Sequence, residues 1–296
     1  MRAAGPRPGW LAAAPLVWMA VFFGAPLAMI LRISVSESRF GQPPYSPLVS
    51  TAADGTHSLD LYGANYALLW QDGLYLDAWL SALGLAAFAT LGCILIGVPM
   101  ALGIVRAAPR LRFALLLAVI LPFWTSFLIR VYAWIGILKP NGFANEFLIW
   151  LGLIDEPLEL LHTNFAVVLG MVYAYLPFMV LPVYAVLARM DRSLGEAAAD
   201  LGAGPTAVFW RVTVPLAMPG IIAGALLVFV PAVGEFVIPD LLGGPDTLMI
   251  GKVLWTEFFS NRDWPMASAV AVALLLALAV PVLIFERVRA RDEGAA

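Results

Sequence analysis

The sequence predicts an all-α, polytopic membrane protein of six transmembrane helices. Three observations carry this. Of its 296 residues, 62% are hydrophobic and only 12% charged, whereas soluble domains carry about 25% charged residues. Six apolar stretches reach the roughly 20 residues a helix needs to cross a bilayer. These stretches run from one end of the chain to the other, so one integral membrane domain over 1–296 is expected, with no soluble module.

The first stretch, 10–31, follows Arg2 and Arg7 like a signal peptide. It is too long for such an apolar region and lacks a small-residue cleavage site, so it reads as a retained span. The next five are 78–105, 113–138, 165–187, 219–239 and 265–285. Cys93 lies within the second and reads as a small packing residue, since one cysteine makes no disulfide within the chain. Pro177, Pro182, Pro231 and Pro239 lie inside or at the edges of spans and predict kinked or broken helices. Gly220 and Gly224 form a small-xxx-small spacing suited to close helix contact.

An even number of spans puts both termini on one side. With the termini inside, the inner segments hold eleven bases and the outer segments five, so the positive-inside rule makes the termini cytoplasmic. Thirteen acids fall outside against six inside. The negative outer rim would either concentrate cationic solutes or be ordinary solvated loop surface. The first outer loop, 32–77, is long and rich in Ser, Pro, Gly and Asp, and its core, 41–57, reads as irregular. The loop 139–164 contains Phe147-Leu-Ile-Trp-Leu-Gly-Leu-Ile, which predicts a short amphipathic surface helix. His57 and His162 read as outer-loop surface residues. Nothing points to a metal centre or to nucleic acid.

The longest inner connection, 189–215, predicts two short helices around a tight bend. Glu196-Ala197-Ala198-Ala-Asp favours helix with an acid near its start. Gly202 and Gly204 stop it, and Pro205 suits the first turn of the next, which re-enters the membrane at Pro215. An ordinary helical connection rich in Ala and Gly is the plain alternative. The spacing of Glu196-Ala197-Ala198, Gly202 and Val212-Thr213-Val214-Pro215 resembles the EAA loop of bacterial ATP-binding-cassette importer permeases. The departures, Val for Ile and Val for Leu, keep the apolar character. The resemblance implies a type I importer fold and a loop that docks on a cytoplasmic ATPase. It also implies a location in the bacterial inner membrane. The chain has no G-x-x-x-x-G-K-[ST] loop, and Gly251-Lys252 is followed by Val253. ATP and Mg are therefore expected at the partner, and this chain is not itself an enzyme.

Leu121-Pro-Phe-Trp-Thr-Ser-Phe-Leu-Ile-Arg-Val-Tyr, Leu176-Pro-Phe-Met-Val-Leu-Pro, Pro231-Ala-Val-Gly-Glu-Phe-Val-Ile-Pro-Asp and Asn261-Arg-Asp-Trp-Pro resemble polyamine permeases, more the putrescine type than the spermidine type. That resemblance implies a second homologous permease, for which the Gly220 and Gly224 spacing would suit a contact, two ATPase copies and a periplasmic polyamine-binding protein.

A linear polycation wants carboxylates for its ammonium groups and aromatic faces along its methylenes. Glu235, the acid inside a span, is a functional candidate by its depth. It either meets the ligand or pairs with Arg130, the base inside a span. Asp240 sits near the outer mouth or caps a helix. Tyr173, Tyr175, Trp124, Tyr132 and Trp134 could line the path, or serve as packing residues and interfacial anchors. The competing class is an ion-coupled transporter or channel, which has no need of the 189–215 loop.

Overall fold

In the computed structural model, residues 9–51, 57–191 and 193–294 are described. Arg2, Arg7, Asp54 and Arg192, counted in the charge balance, lie outside them. The described residues are mainly helical, with a two-stranded antiparallel pair, β1 (Val49–Thr51) and β2 (His57–Leu59), in the otherwise mostly irregular stretch 35–63. Among the described residues, five helices are long and apolar enough to cross a membrane, or six if one bent pair is a single span.

The described residues form two compact units. One takes those up to Leu76 together with those from Leu254. Here α1 (Ala13–Ser34) packs along α12 (Trp264–Gly294). A short helix, α2 (Ala64–Gln71), is tied to the end of α1. The Asn65 amide donates to the carbonyls of Ser34 and Ser36 at 3.0 and 2.9 Å, and the Tyr66 hydroxyl donates to Ser34 Oγ at 2.7 Å. These bonds satisfy polar groups where the chain leaves the apolar helix, a need that grows as water is excluded.

The other unit, Asp77–Val253, holds most of α3 (Gly73–Arg106). It continues through α4 (Pro109–Ile120), α5 (Phe127–Leu138), α6 (Phe143–Trp150), α7 (Asn164–Leu187), α8 (Ser193–Asp200), α9 (Pro205–Val233) and α10 (Val237–Leu242), and ends within α11 (Ile250–Trp255). Cys93 is fully buried, its Sγ 3.6 Å from the Val172 carbonyl, as packing requires. α6 carries the expected outer helix a few residues early, with Phe143, Phe147 and Trp150 stacked along one side at 6.1 and 6.0 Å.

Three expectations change. The stretch 113–138 is not one straight helix: Pro109–Trp124 and Phe127–Trp150 meet at 93°. Leu121–Trp124, with Pro122 in it, form a 3₁₀ turn, Thr125 and Ser126 are extended, and both the Thr125 amide and its hydroxyl donate to the Pro122 carbonyl. Local side-chain bonding of this kind competes with continued helix. The second helix of the inner connection does not end at Pro215. It runs from Pro205 to Val233 as one helix, with a π-turn at Phe209–Thr213 just before the proline. Pro215 cannot donate to the carbonyl four residues back, and the wider π-turn lets the helix pass that gap.

Gly220 and Gly224, the third case, face α7 of the same chain rather than a second subunit. A Cβ at Gly220 would stand 2.9 Å from the Pro182 carbonyl oxygen and 3.1 Å from Val183 Cα. At Gly224 it would stand 3.1 and 3.2 Å from Met179 Cα and oxygen. Backbone cannot yield as a side-chain tip does. Gly224→Val is therefore expected to destabilise the isolated permease by about 1–3 kcal/mol. A lowered unfolding midpoint of this chain alone, in detergent, checks it. An unchanged midpoint with lost subunit association would return the glycines to an interface role.

Candidate functional site: a docking segment and a carboxylate in a helix break

The inner connection is built by local chemistry. Asp191 accepts the Ser193 amide at 3.0 Å and sets the start of α8. That backbone bond holds its carboxyl below the ordinary aspartate range. At the other end the Gly202 amide donates to Ala199 at 2.9 Å and the Ala203 amide to Ala198 at 3.0 Å, with Gly202 at φ +88°. This is a Schellman cap with glycine at the left-handed position. Gly204 then precedes Pro205, the first residue of α9. Glu196, Ala197, Pro205 and Pro215 are exposed, and Ala198 is half-buried. Leu201, absent from the sequence-based set, is 90% exposed at the tip. Its signal is a large apolar residue in a bend otherwise made of Asp, Gly and Ala.

The second cluster lies where α9 stops. After Val233 the chain leaves the helix for Gly234, Glu235 and Phe236 before starting α10. Glu235 is thus in a break, not on the face of a continuous fifth span. Its side chain folds over the start of α10. Oε1 accepts the amides of Phe236, Val237 and Ile238 at 3.1, 2.9 and 3.4 Å, and Oε2 accepts the Tyr175 hydroxyl from α7. The carboxylate is only 9% exposed. These donors explain how an acid survives at this depth, since a buried carboxylate without them would be very costly. Gly251 supports the turn: a Cβ there would collide with the carbonyl oxygens of Gly234 and Glu235.

No Glu235–Arg130 ion pair forms. Arg130 instead lies over the rings of Phe123 and Phe127, at 5.3 and 5.6 Å, and its buried Nε has no hydrogen-bond partner. Asp240, in the first turn of α10, pairs with Lys252 at 3.3 Å, a partner to which the sequence does not point. The aromatic candidates divide. Tyr175 packs near Phe178 (6.3 Å between centroids), and Phe178 meets Phe123 edge-on at 5.4 Å. Tyr173 meets Trp134 edge-on at 5.5 Å. Trp124 and Tyr132 are 75% and 57% exposed and join neither group. The sequence does not single out Phe123 and Phe178, because nothing local marks one phenylalanine among many as part of the ring group that includes Tyr175.

Residues 93–290 match the protein family described as binding-protein-dependent transport system inner membrane component. The chain is 44% identical over 223 residues to the spermidine/putrescine transport system permease protein PotB of Salmonella typhimurium, covering 75% of this chain and 77% of that one. It is equally identical to PotB of Escherichia coli, over 75% and 81%. The inner membrane ABC transporter permease YdcU of Escherichia coli is 32% identical over 293 residues, covering 94% and 88%. Among solved structures, a bacterial alginate importer superposes with a TM-score of 0.67 at 20% identity over 95% of this chain and 96% of that one. The MetNI methionine transporter gives 0.57 at 16% identity over 75% and 96%. At these identities the structures speak to the fold.

Proposed function

The chain belongs to the family of binding-protein-dependent transport system inner membrane components, and from that premise we propose that it carries a polyamine into the cytoplasm as the membrane subunit of an ATP-driven importer. The observation that carries this reading is the exposed docking segment. It is a capped helix with Glu196, Ala197 and Ala198 on it and Leu201 at its tip, joined directly to a membrane-crossing helix. An apolar tip on a rigid turn suits a groove on a partner. The partner set is a second homologous permease, two ATPase copies holding ATP and Mg, and a periplasmic binding protein. ATP-driven closure of the ATPase pair would move the segments and switch the cavity from outward- to inward-facing. Both termini then lie in the cytoplasm.

Polyamine as cargo is supported by the 44% identity to PotB over three-quarters of the chain. The buried Tyr175–Glu235 pair, with Phe178 next to Tyr175 and Phe123 next to Phe178 under Arg130, groups an acid and aromatic rings of the right chemistry. A substrate ammonium would share Glu235 Oε2 with, or take it from, the Tyr175 hydroxyl. Asp240 would act earlier, exchanging Lys252 for the incoming cation. Among polyamines the proposal is putrescine.

The test is ATP hydrolysis by the purified complex with its binding protein, in lipid, with putrescine, spermidine and neutral amino acids offered separately. Putrescine is expected to stimulate most. A spermidine optimum would reassign the cargo within the class, and stimulation by neither would remove polyamines from the reading.

A further inference from the structure

Between the ends of α3 and α7, the start of α4 and the docking segment lies a cavity of about 370 Å³. Its walls are mostly apolar, among them Leu102, Val105 and Val212, yet two arginines enter it, Arg106 from the last turn of α3 and Arg112 from the first turns of α4. Arg112 Nε donates to the Ala107 carbonyl at 3.0 Å, which fixes the guanidinium and leaves its terminal nitrogens for another acceptor. Among the described residues, no carboxylate lies within ion-pair distance of either arginine. Thr213, also lining the cavity, has a hydroxyl without a hydrogen-bond partner in the described chain. The chain charge count puts this end of the helices on the basic, inner side.

We infer that this cavity is a binding site for an anionic phospholipid. The phosphate sits between Arg106 and Arg112, within reach of the Thr213 hydroxyl, and an acyl chain runs along Leu102, Val105 and Val212. Guanidinium pairs recognise phosphate by charge-assisted bonds, and basic pockets between membrane helices on the cytoplasmic side take acidic headgroups. The apolar wall selects a lipid over a free phosphate, which gains nothing from it. Gly195 of α8 and Val208 of α9 line the same cavity, so the lipid touches both limbs of the docking segment. Its occupancy is thereby linked to the position of that segment, to the extent that it binds two positions unequally.

Native mass spectrometry of the intact importer complex, titrated with phosphatidylglycerol, tests this without relying on transport or on the identity of the cargo. Each arginine near the surface adds about 5-fold to anionic-lipid affinity, so Arg106→Gln with Arg112→Gln should weaken retention about 30-fold. The paired Lys variants should stay within a few-fold of the parent, which guards against a folding defect. Phosphatidylcholine and the soluble headgroup glycerophosphoglycerol should bind far more weakly. The inference fails if the double Gln variant retains phosphatidylglycerol as well as the parent, or if phosphatidylcholine binds equally. It fails also if the soluble headgroup binds as tightly, which would make the site one for free phosphate. Loss of the ATPase from the double variant, with lipid retained, would assign the arginines to a protein contact instead.

Discussion

Replacing Gly202 with valine is expected to lower polyamine uptake at least tenfold while the permease still reaches the membrane. The residue holds φ +88° at the end of α8. A side chain in that conformation costs about 1–2 kcal/mol, more when β-branched. The strain is relieved by unwinding the cap, which loses the bonds from Gly202 to Ala199 and from Ala203 to Ala198. It also turns Leu201 away from its present direction. ATPase co-purification and substrate-stimulated hydrolysis read the effect. Gly202→Asn, whose short polar chain tolerates the left-handed region, should keep most of both. Equal loss in the Asn and Val variants would mean that the glycine matters for space at the partner surface rather than for backbone conformation.

The second large effect separates two jobs of Glu235. Glu235→Ala strips the acceptor from three backbone amides and a phenol. Leaving buried donors unmet costs about 1–3 kcal/mol for each group, so the variant should fail to accumulate or should unfold well below the parent. Glu235→Gln keeps an oxygen for the three amides and can still bond the Tyr175 hydroxyl, but it carries no charge. It should fold with a near-parental unfolding midpoint and lose most uptake, on the view that the charge meets the cation. Parental uptake by the Gln variant would leave Glu235 as the cap of α10 and nothing more.

The features legible in the amino-acid sequence have short-range causes. The cap at Gly202, the start at Pro205 and the exposed Glu196 follow from residues within four or five positions of one another. Local rules cover that range. The packing of Cys93 follows from its apolar surroundings in the chain. The break at Thr125–Ser126 is hidden because the residues around it are as apolar as any span, and only Pro122 and the two hydroxyl residues mark it. Depth alone marks Glu235, and Arg130 stands out as a partner only because it is the base inside a span. The actual donor, Tyr175, lies 60 residues away along the chain on α7, and no spacing rule reaches so far. Gly220 and Gly224 show a related limit: the spacing announces a close approach without saying which helix approaches.

The continuity of α9 has a mechanical consequence. At about 1.5 Å per residue, its 29 residues make a helix about 43 Å long, and its two ends are the proposed docking segment and the Glu235 turn. Pro219 and Pro231 lie inside it, and neither can donate the helical bond to the carbonyl four residues back. In the proposed cycle a displacement applied near Pro205 would reach Val233 along one continuous helix. The regular ladder is interrupted at the π-turn at Phe209–Thr213, at Pro219 and Pro231, and at the non-helical stretch Gly234–Phe236. In that cycle this one helix would join the segment that meets the ATPase to the turn that holds the Tyr175–Glu235 bond.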